Sequence, residues 1–568
     1  MSESPRSNDF QYDRKQLRWN GWGAVGEDFP FGEREAAIWQ WIEDVLGGEP
    51  LKAHPPRSLE DFSLPKSRLS KAQLRKLAAV VGEDQLHIDH YERLFHAVGR
   101  SFQDVLRLRY GGIERAPDAV AYPANHDEVQ ELLYLCQKLG IIVIPFGGGS
   151  SVVGGVEAPA NAERPVLTLD TTRMRHVLEI DTCAQTATVQ TGIYGPDLEH
   201  ALQPEGYTLG HYPQSFRYST LGGWIAARSS GQQSNGYGNA ARWLVAARMA
   251  TPQGEVRTQT FPNSATGADL NQWIAGSEGT LGVITEATIR LTELPARRDY
   301  QGVLFPSFEA GATAIRRLVQ GGVPMSMMRL SDADETKFFT AFGEAGKPVS
   351  PMRERINNLL EGRGYGDDKA LMLLGVEGGA THTRWTMARA LRVCVAEGGI
   401  PLGKGMGDKW YGGRFDMPYL REPMLDRGIG VETLETSTAW SNLHALHTRV
   451  QHAIRDAVAD FSQNPCLVMG HISHSYPVGA SLYFTFVWRM TPGDELAQWR
   501  RIKAAASQAI VDGGGTISHH HGVEADHLPW LRQEKSALSF EALRAAQAAV
   551  DPQATMNPGK LLPPKEEN

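Results

Sequence analysis

The sequence predicts an α+β protein made of two large lobes behind a helical N-terminal region. Three observations carry this expectation. The chain has 568 residues, well beyond what one hydrophobic core supports. From about residue 113 to 294, short alternating segments such as Thr186 to Thr191 mix with helical stretches. After Pro295 the pattern changes to longer segments: helices over Phe308 to Val319 and His382 to Glu397, and a strand over Ser481 to Met490.

Within residues 1–112 the charged, Trp-bearing sequence carries amphipathic segments at Glu33 to Val45 and Lys71 to Val81, both read as helices. At Asn125 an N-cap signal, with Glu128 three residues on, opens a helix. Val129, Leu132, Leu133, Cys136 and Leu139 keep helical spacing, and Gly140 ends it. A strand from Ile141 to Ile144 then runs straight into glycines. The tail from Phe540 to Val550 is helical and is closed by Asp551-Pro552.

Composition narrows the function classes. Hydrophobic residues make up 41% and charged residues 21%, as in ordinary globular proteins. Net charge is −8 with no long basic run, which argues against nucleic acid as a partner. Cys136, Cys183, Cys394 and Cys466 are widely spaced and form no CxxC, so neither a disulfide framework nor a zinc cluster is indicated. The N-terminus lacks the apolar core of a secretion signal, no stretch is long and apolar enough to span a bilayer, and the KEEN terminus is no recognised address. A cytoplasmic protein is expected, with peripheral membrane contact left open.

Three clusters carry chemistry. Pro145-Phe146-Gly147-Gly148-Gly149-Ser150-Ser151 follows a strand, where glycines let backbone N–H groups approach an anion. It matches neither GxGxxG nor GxxxxGK[ST]. Further clusters occur at Ser219-Thr220-Leu221-Gly222-Gly223-Trp224 and at Gly276-Ser277-Glu278-Gly279-Thr280-Leu281-Gly282. A single such loop is as readily a bend between strands, whereas three spaced ones point to a ligand.

With the terminal Asn557-Pro558-Gly559-Lys560, these motifs resemble the FAD-binding lobe of the vanillyl-alcohol oxidase/PCMH flavoprotein superfamily. The resemblance implies a PCMH-type FAD-binding domain over 113–294, a cap of mixed helix and strand for the substrate over 295–539, and a segment 540–568 returning to the FAD domain. It implies that Pro145, Phe146, Gly147, Gly148, Gly149, Ser150 and Ser151 hold the pyrophosphate. Gln214, Ser215, Ser219, Thr220 and Gly223, with Ala227, Arg228, Ser229 and Ser230, would run along the flavin. Glu278, Gly279, Thr280, Leu281, Gly282, Val283 and Ile284 would close over the adenosine side. Relatives that link FAD covalently do so through a His in the first glycine loop, which has none here, so FAD is expected to be non-covalent.

Nearly from end to end the chain resembles the alkyldihydroxyacetonephosphate synthase family, in WNGWG (Trp19 to Gly23), SSGQQSNGYGN (Ser229 to Asn239), RLSD (Arg329 to Asp332), YLRE (Tyr419 to Glu422), SLYFTF (Ser481 to Phe486) and SHHHG (Ser518 to Gly522). That family exchanges the acyl chain of acyl-dihydroxyacetone phosphate for a long-chain alcohol through a flavin N5 adduct without net redox change. The resemblance implies Tyr483, His519, His520 and His521 as catalytic residues, with His520 the proton acceptor, and Arg329, Arg421 and His211 as substrate-binding residues. Each has a bland reading as well: a core-bonded tyrosine, satisfied histidines or a structural ion pair. If 519–521 is extended, His519 and His521 share a face and His520 opposes them. A homodimer is implied. The family's acidic triplet after His211 is replaced by Tyr212-Pro213-Gln214, and Thr485 stands where the family has an aromatic, so the pocket departs from the pattern.

The rival expectation is an FAD-dependent D-2-hydroxy acid dehydrogenase, many of which hold a metal through a GHxGDGNLH segment and a GEHG glutamate. Here the corresponding positions are His471, Val478 and His520. Two of three ligands are missing, so no metal is expected, though His471, His474 and His520 stay open as a substitute set.

Overall fold

The computed structural model describes residues 16–348 and 350–563. The readings of the first fifteen residues and of the KEEN tail lie outside them. Among the described residues three large sheets organise the chain, beside a two-stranded ribbon of Tyr207–Thr208 with Thr292–Glu293. The first is ordered Leu86–His87, Ala119–Ala121, Val166–Asp170, Ile142–Phe146. Its last three strands run parallel. Parallel neighbours need a crossover, and the helix His126–Leu139 lies on one: Asn125 caps it by accepting from the Glu128 N–H, and Gly140 ends it at φ 66°. The glycine cluster thus leaves the carboxyl end of a parallel strand, where open α/β sheets place their ligands. One strand of this sheet, Leu86–His87, comes from the N-terminal region, which is therefore woven into the sheet as well as being helical.

The second sheet is antiparallel, ordered Val177–Asp181, Thr186–Gln190, Val283–Arg290, Leu244–Thr251, Gly254–Arg257. The third has seven antiparallel strands: Ile400–Gly403, Arg297–Phe305, Ala370–Gly378, Met327–Ser331, Leu467–Ser475, Gly479–Arg489, Ile429–Ala439. Its strands alternate sides with period two. Leu482, Phe484 and Phe486 enter the largest core with Phe102, Val105 and Leu106 of the N-terminal region, while Tyr483, Thr485 and Val487 line a cavity on the other face. The same alternation sends Val468 and Ile472 to the core and Met469, His471 and Ser473 to the cavity.

Chain ends close the structure. Thr555 O accepts from the Val143 N–H, and the Asn557 amide donates to Gly155 O and Glu278 O at 3.0 and 2.8 Å. At the other end, Gly23 takes φ 85° against the Tyr419 ring, where a Cβ would come within 2.5 Å. Tyr419 donates to Glu27 at 2.7 Å, tying residues near 20 to the Tyr419–Arg421 segment.

Candidate active site

A single cavity of about 460 Å³ is walled on one side by the glycine clusters and on the other by the seven-stranded sheet. The cradle side contains Pro145 to Ser151, Gln214, Ser215, Ser219, Thr220, Gly223, Ala227, Ser229, Ser230, Glu278, Gly279, Gly282, Val283 and Ile284. Its packing leaves no room for side chains at the glycines: a Cβ on Gly147 would lie 2.2 Å from Thr220 Oγ1, and one on Gly148 would lie 1.9 Å from Tyr218 O. Gly149 requires φ 67° and Gly279 φ 72°. Three buried polar atoms on this wall, Ser230 Oγ, Ser277 Oγ and Asn557 Oδ1, have no partner among the described residues. Buried polar groups are normally satisfied, so a polar ligand such as the FAD diphosphate and ribose fits this wall.

Three expected cofactor residues face elsewhere. The Arg228 guanidinium turns away to bond Ala275 O and Gln272 O. The Thr280 hydroxyl donates to Ser277 O, and Leu281 sits in a hydrophobic core. Gly148→Ala is expected to yield a colourless protein, because the displaced 145–151 loop no longer meets Tyr218; absorbance near 450 nm after gel filtration checks it.

Opposite the cradle lies the histidine-rich wall. Ile517 and His519 to His521 lie in bends, not in an extended strand, so the expected alternation of His519 and His521 against His520 does not occur. The reason is one buried carboxylate. Glu435, on the edge strand Ile429–Ala439, accepts the backbone N–H of His519, His520 and His521 at 2.8, 2.8 and 3.1 Å and the Ser518 hydroxyl at 3.0 Å. Three successive N–H groups aimed at one acceptor force a turn. Glu435 is 1% exposed. Burial alone would raise its carboxyl, but the charge and hydrogen bond of His520, with His521 and His519, hold it well below the ordinary range.

The imidazoles then cluster. His519 Nδ1 and His520 Nδ1 are 2.9 Å apart, and His519 Nε2 meets the Tyr476 hydroxyl at 2.6 Å. His474 stacks 5.1 Å from His519. Burial lowers His519 to about 4 and His521 to about 3, so both are neutral near pH 7. His520 and His521 reach the cavity, whereas His519 lies behind them. Tyr483 pairs in register with both Glu435 and His471, and its ring lies 5.0 Å from His471 and 5.6 Å from His521. Burial pushes the phenol up to about 12.

The two arginines differ. Arg329 is committed: it pairs with Glu335 at 2.9 Å and meets His471 Nε2 at 2.9 Å. Burial would raise Glu335, yet Arg329 and His471 bring it to about 2. Arg421 donates to Arg100 O at 3.0 Å and has Glu422 at 3.7 Å, and its Nε has no hydrogen-bond partner among the described residues. Its guanidinium keeps capacity for a ligand in the cavity. His211 does not reach the cavity. It is 1% exposed, faces Ser229 Oγ at 3.2 Å and packs on Trp224 and Trp243. Burial lowers it to about 3, and its neutral ring packs beside the Ser229 turn, outside the cavity lining.

Metal-ligand convergence also differs from the substitute set weighed on sequence. The ring nitrogens within 4.8 Å of one another belong to His474, His519 and His520. His471 is engaged by Arg329 and Glu335. Sequence reading missed Glu435, Glu335 and Tyr476. Glu435 lies in a strand that also carries Glu432 and four Ser or Thr residues, and Glu335 in the first turn of a helix, so neither stood out from its neighbours.

Comparison with known proteins follows these lobes. Residues 117–260 match the FAD binding domain family and residues 294–561 match the C-terminal domain of FAD linked oxidases. Alkyldihydroxyacetonephosphate synthase of Trypanosoma brucei brucei is 33% identical over 97% of this chain and 93% of that protein. The enzyme of that name from Dictyostelium discoideum is 32% identical over 98% and 95%. A solved structure of an alkyldihydroxyacetonephosphate synthase superposes with a TM-score of 0.84 at 30% identity, covering 96% of this chain and 99% of the other. The chain is a two-lobed FAD flavoprotein with an FAD-linked oxidase C-terminal domain. It belongs to the alkyldihydroxyacetonephosphate synthase family.

Proposed function

We propose that this enzyme replaces the acyl chain of acyl-dihydroxyacetone phosphate with a long-chain alcohol, forming an ether with no net oxidation. The observation that carries the reading is that one cavity joins the glycine cradle to Tyr483, His520, His521 and Arg421. FAD, held non-covalently by the 145–151 loop, the 214–230 segments and the 278–284 turn, supplies the centre at which one oxygen substituent of the substrate carbon is exchanged for another.

The chain's own residues supply the rest. His520 takes the proton from the substrate carbon, with the Glu435 carboxylate 3.5 Å from its Nδ1 to stabilise the imidazolium as it forms. Tyr483, protonated at neutral pH, donates to the departing carboxylate. Arg421 binds the phosphate as a fork, a geometry suited to that group. The apolar wall of Phe338, Phe339, Leu420, Met424, Met469 and Val487 lies along the same cavity and accepts the hydrocarbon chains. Among the described residues no helix is long and apolar enough to cross a membrane. The reading takes the enzyme to be a cytoplasmic homodimer that draws both chains from a membrane surface.

The test is exchange of the acyl chain for radiolabelled hexadecanol under anaerobic conditions without an electron acceptor. Ether formation with the flavin spectrum unchanged supports the reading. Anaerobic bleaching by D-lactate or 2-hydroxyglutarate, with no ether formed, supports the dehydrogenase instead.

A further inference from the structure

A second cavity of about 160 Å³ lies behind the histidine wall. It is lined by Asn235, Asn239, Arg242, His474 and Tyr476 among others, with Val323 and Met328 on its apolar side. His474 lines both cavities. His519 lines neither, but bridges them: its Nδ1 is 2.9 Å from His520 Nδ1 in the first, and its Nε2 is 2.6 Å from the Tyr476 hydroxyl in the second. Three buried polar atoms in the second cavity wall, Asn235 Oδ1, Asn239 Oδ1 and His474 Nδ1, have no partner among the described residues. A polar cavity of this size has room for several waters, which would satisfy such atoms. Arg242, on its rim, is exposed to bulk solvent.

We propose that His519 and Tyr476 form a proton relay carrying the proton taken up by His520 through the second cavity to solvent. The proposal rests on the function proposed above, in which His520 removes a proton from the substrate carbon. The C–H bond breaks, its electron pair stays on carbon, and His520 gains the proton at one ring nitrogen. His520 releases its Nδ1 proton to His519 Nδ1. His519 gives its Nε2 proton to the Tyr476 oxygen as the phenol proton passes to water. One proton enters the chain and one leaves it, so no charge stays on either relay residue. The reverse passage returns a solvent proton to carbon and restores the starting tautomers.

The surroundings suit this role. His519 is neutral near pH 7, with one nitrogen free to accept while the other donates. Facing it are His520, His474, Tyr476 and the Glu435 carboxylate, whose Oε2 is 3.6 Å from Nδ1. Burial pushes Tyr476 up to about 12, so it stays a neutral hydroxyl able to donate and accept at once. Arg242 opposes part of that rise and favours transient negative charge on the phenol. Tyr476 and His519 touch neither cofactor wall nor substrate cavity, so their part is proton conduction and positioning.

The experiment uses the FAD-loaded full chain and palmitoyl-dihydroxyacetone phosphate in deuterium oxide. Deuterium gained at the acyl-bearing carbon is followed by mass spectrometry, alongside turnover with hexadecanol. Wild type is expected to exchange. Tyr476→Phe is expected to lower both exchange and kcat about 10²-fold, the lower end of acid–base contributions, with KM and the flavin spectrum unchanged. Added imidazole buffer should restore the rate in proportion to its concentration, a response that a merely structural role would not give. Exchange in Tyr476→Phe equal to wild type, with no buffer response, overturns the relay and leaves the proposed function standing. Wild type that neither exchanges nor forms ether removes both. A stoichiometric transition metal in the purified chain, lost in His474→Ala, also overturns the relay, because the metal would occupy the ring nitrogens the proton needs.

Discussion

Glu435→Gln lowers kcat about 10³-fold, within the range of general acid–base effects, while FAD stays bound. The amide keeps one acceptor oxygen for the loop but loses the charge that stabilises the His520 imidazolium. It also turns an NH₂ donor toward the His519 N–H, which now donates to Oε2 at 3.0 Å. Glu435→Ala goes further and leaves three backbone N–H groups buried without an acceptor. At about 1–3 kcal/mol for each unsatisfied group, a fall in Tm of many degrees is expected, read by thermal shift. The pH sign follows from the depressed carboxyl. A folded-state value below the unfolded value of 4.5 gives stabilisation that is present above that pH and lost as pH falls through the folded value. The Tm gap between wild type and Glu435→Gln therefore holds steady from pH 7 down to 4.5 and narrows only below that value. A variant with wild-type turnover, or a gap independent of pH, would defeat this account.

The two arginines should fail in different ways. Arg421→Ala is expected to raise KM for the phosphorylated substrate about 10- to 100-fold, matching the ~1.5–3 kcal/mol of a hydrogen bond to a charged group. Tm and bound FAD should hardly change, since its protein contacts are a single carbonyl bond and a loose approach to Glu422. Arg329→Ala removes the permanently charged one of the two partners of Glu335, which is 2% exposed and keeps only His471. Breaking a buried pair by deleting one member costs roughly 3–5 kcal/mol, so this variant loses stability before it loses affinity. Steady-state kinetics and thermal melts on both variants separate the cases. Equal KM shifts with equal melting temperatures would show that both guanidinium groups serve the ligand alike.

Much of the first lobe was legible because its signals are local. Asn125, Glu128 and Gly140 mark both ends of one helix within the stretch 125–140, and Ser70 caps the helix Lys71–Val81 through the Gln73 N–H. The glycine loops were equally readable, since a missing Cβ matters wherever the backbone passes close to another chain segment. The candidate site was legible in its residues and not in its geometry. The three histidines drew attention by number, but their arrangement is set by Glu435, 84 to 86 positions earlier. No periodicity joins an edge strand to a distant loop. Arg228 and His211 illustrate the opposite failure: each stands inside a recognisable motif, yet local hydrogen bonds turn one guanidinium outward and tryptophans enclose one imidazole. Motif membership gives a backbone position, and the direction of a side chain depends on neighbours that the motif does not contain.

The amide of Asn557 reaches Gly155, 402 residues before it in the chain, and Glu278, 279 residues before it. The nucleotide seat is therefore complete only once synthesis has passed Asn557 and that segment has folded back. A chain that stops short of that residue carries every strand of both large sheets of the first lobe and lacks the amide that joins the 155 and 278 loops. Truncation a few residues before Asn557 is accordingly expected to give chains that keep most of the architecture and emerge without colour.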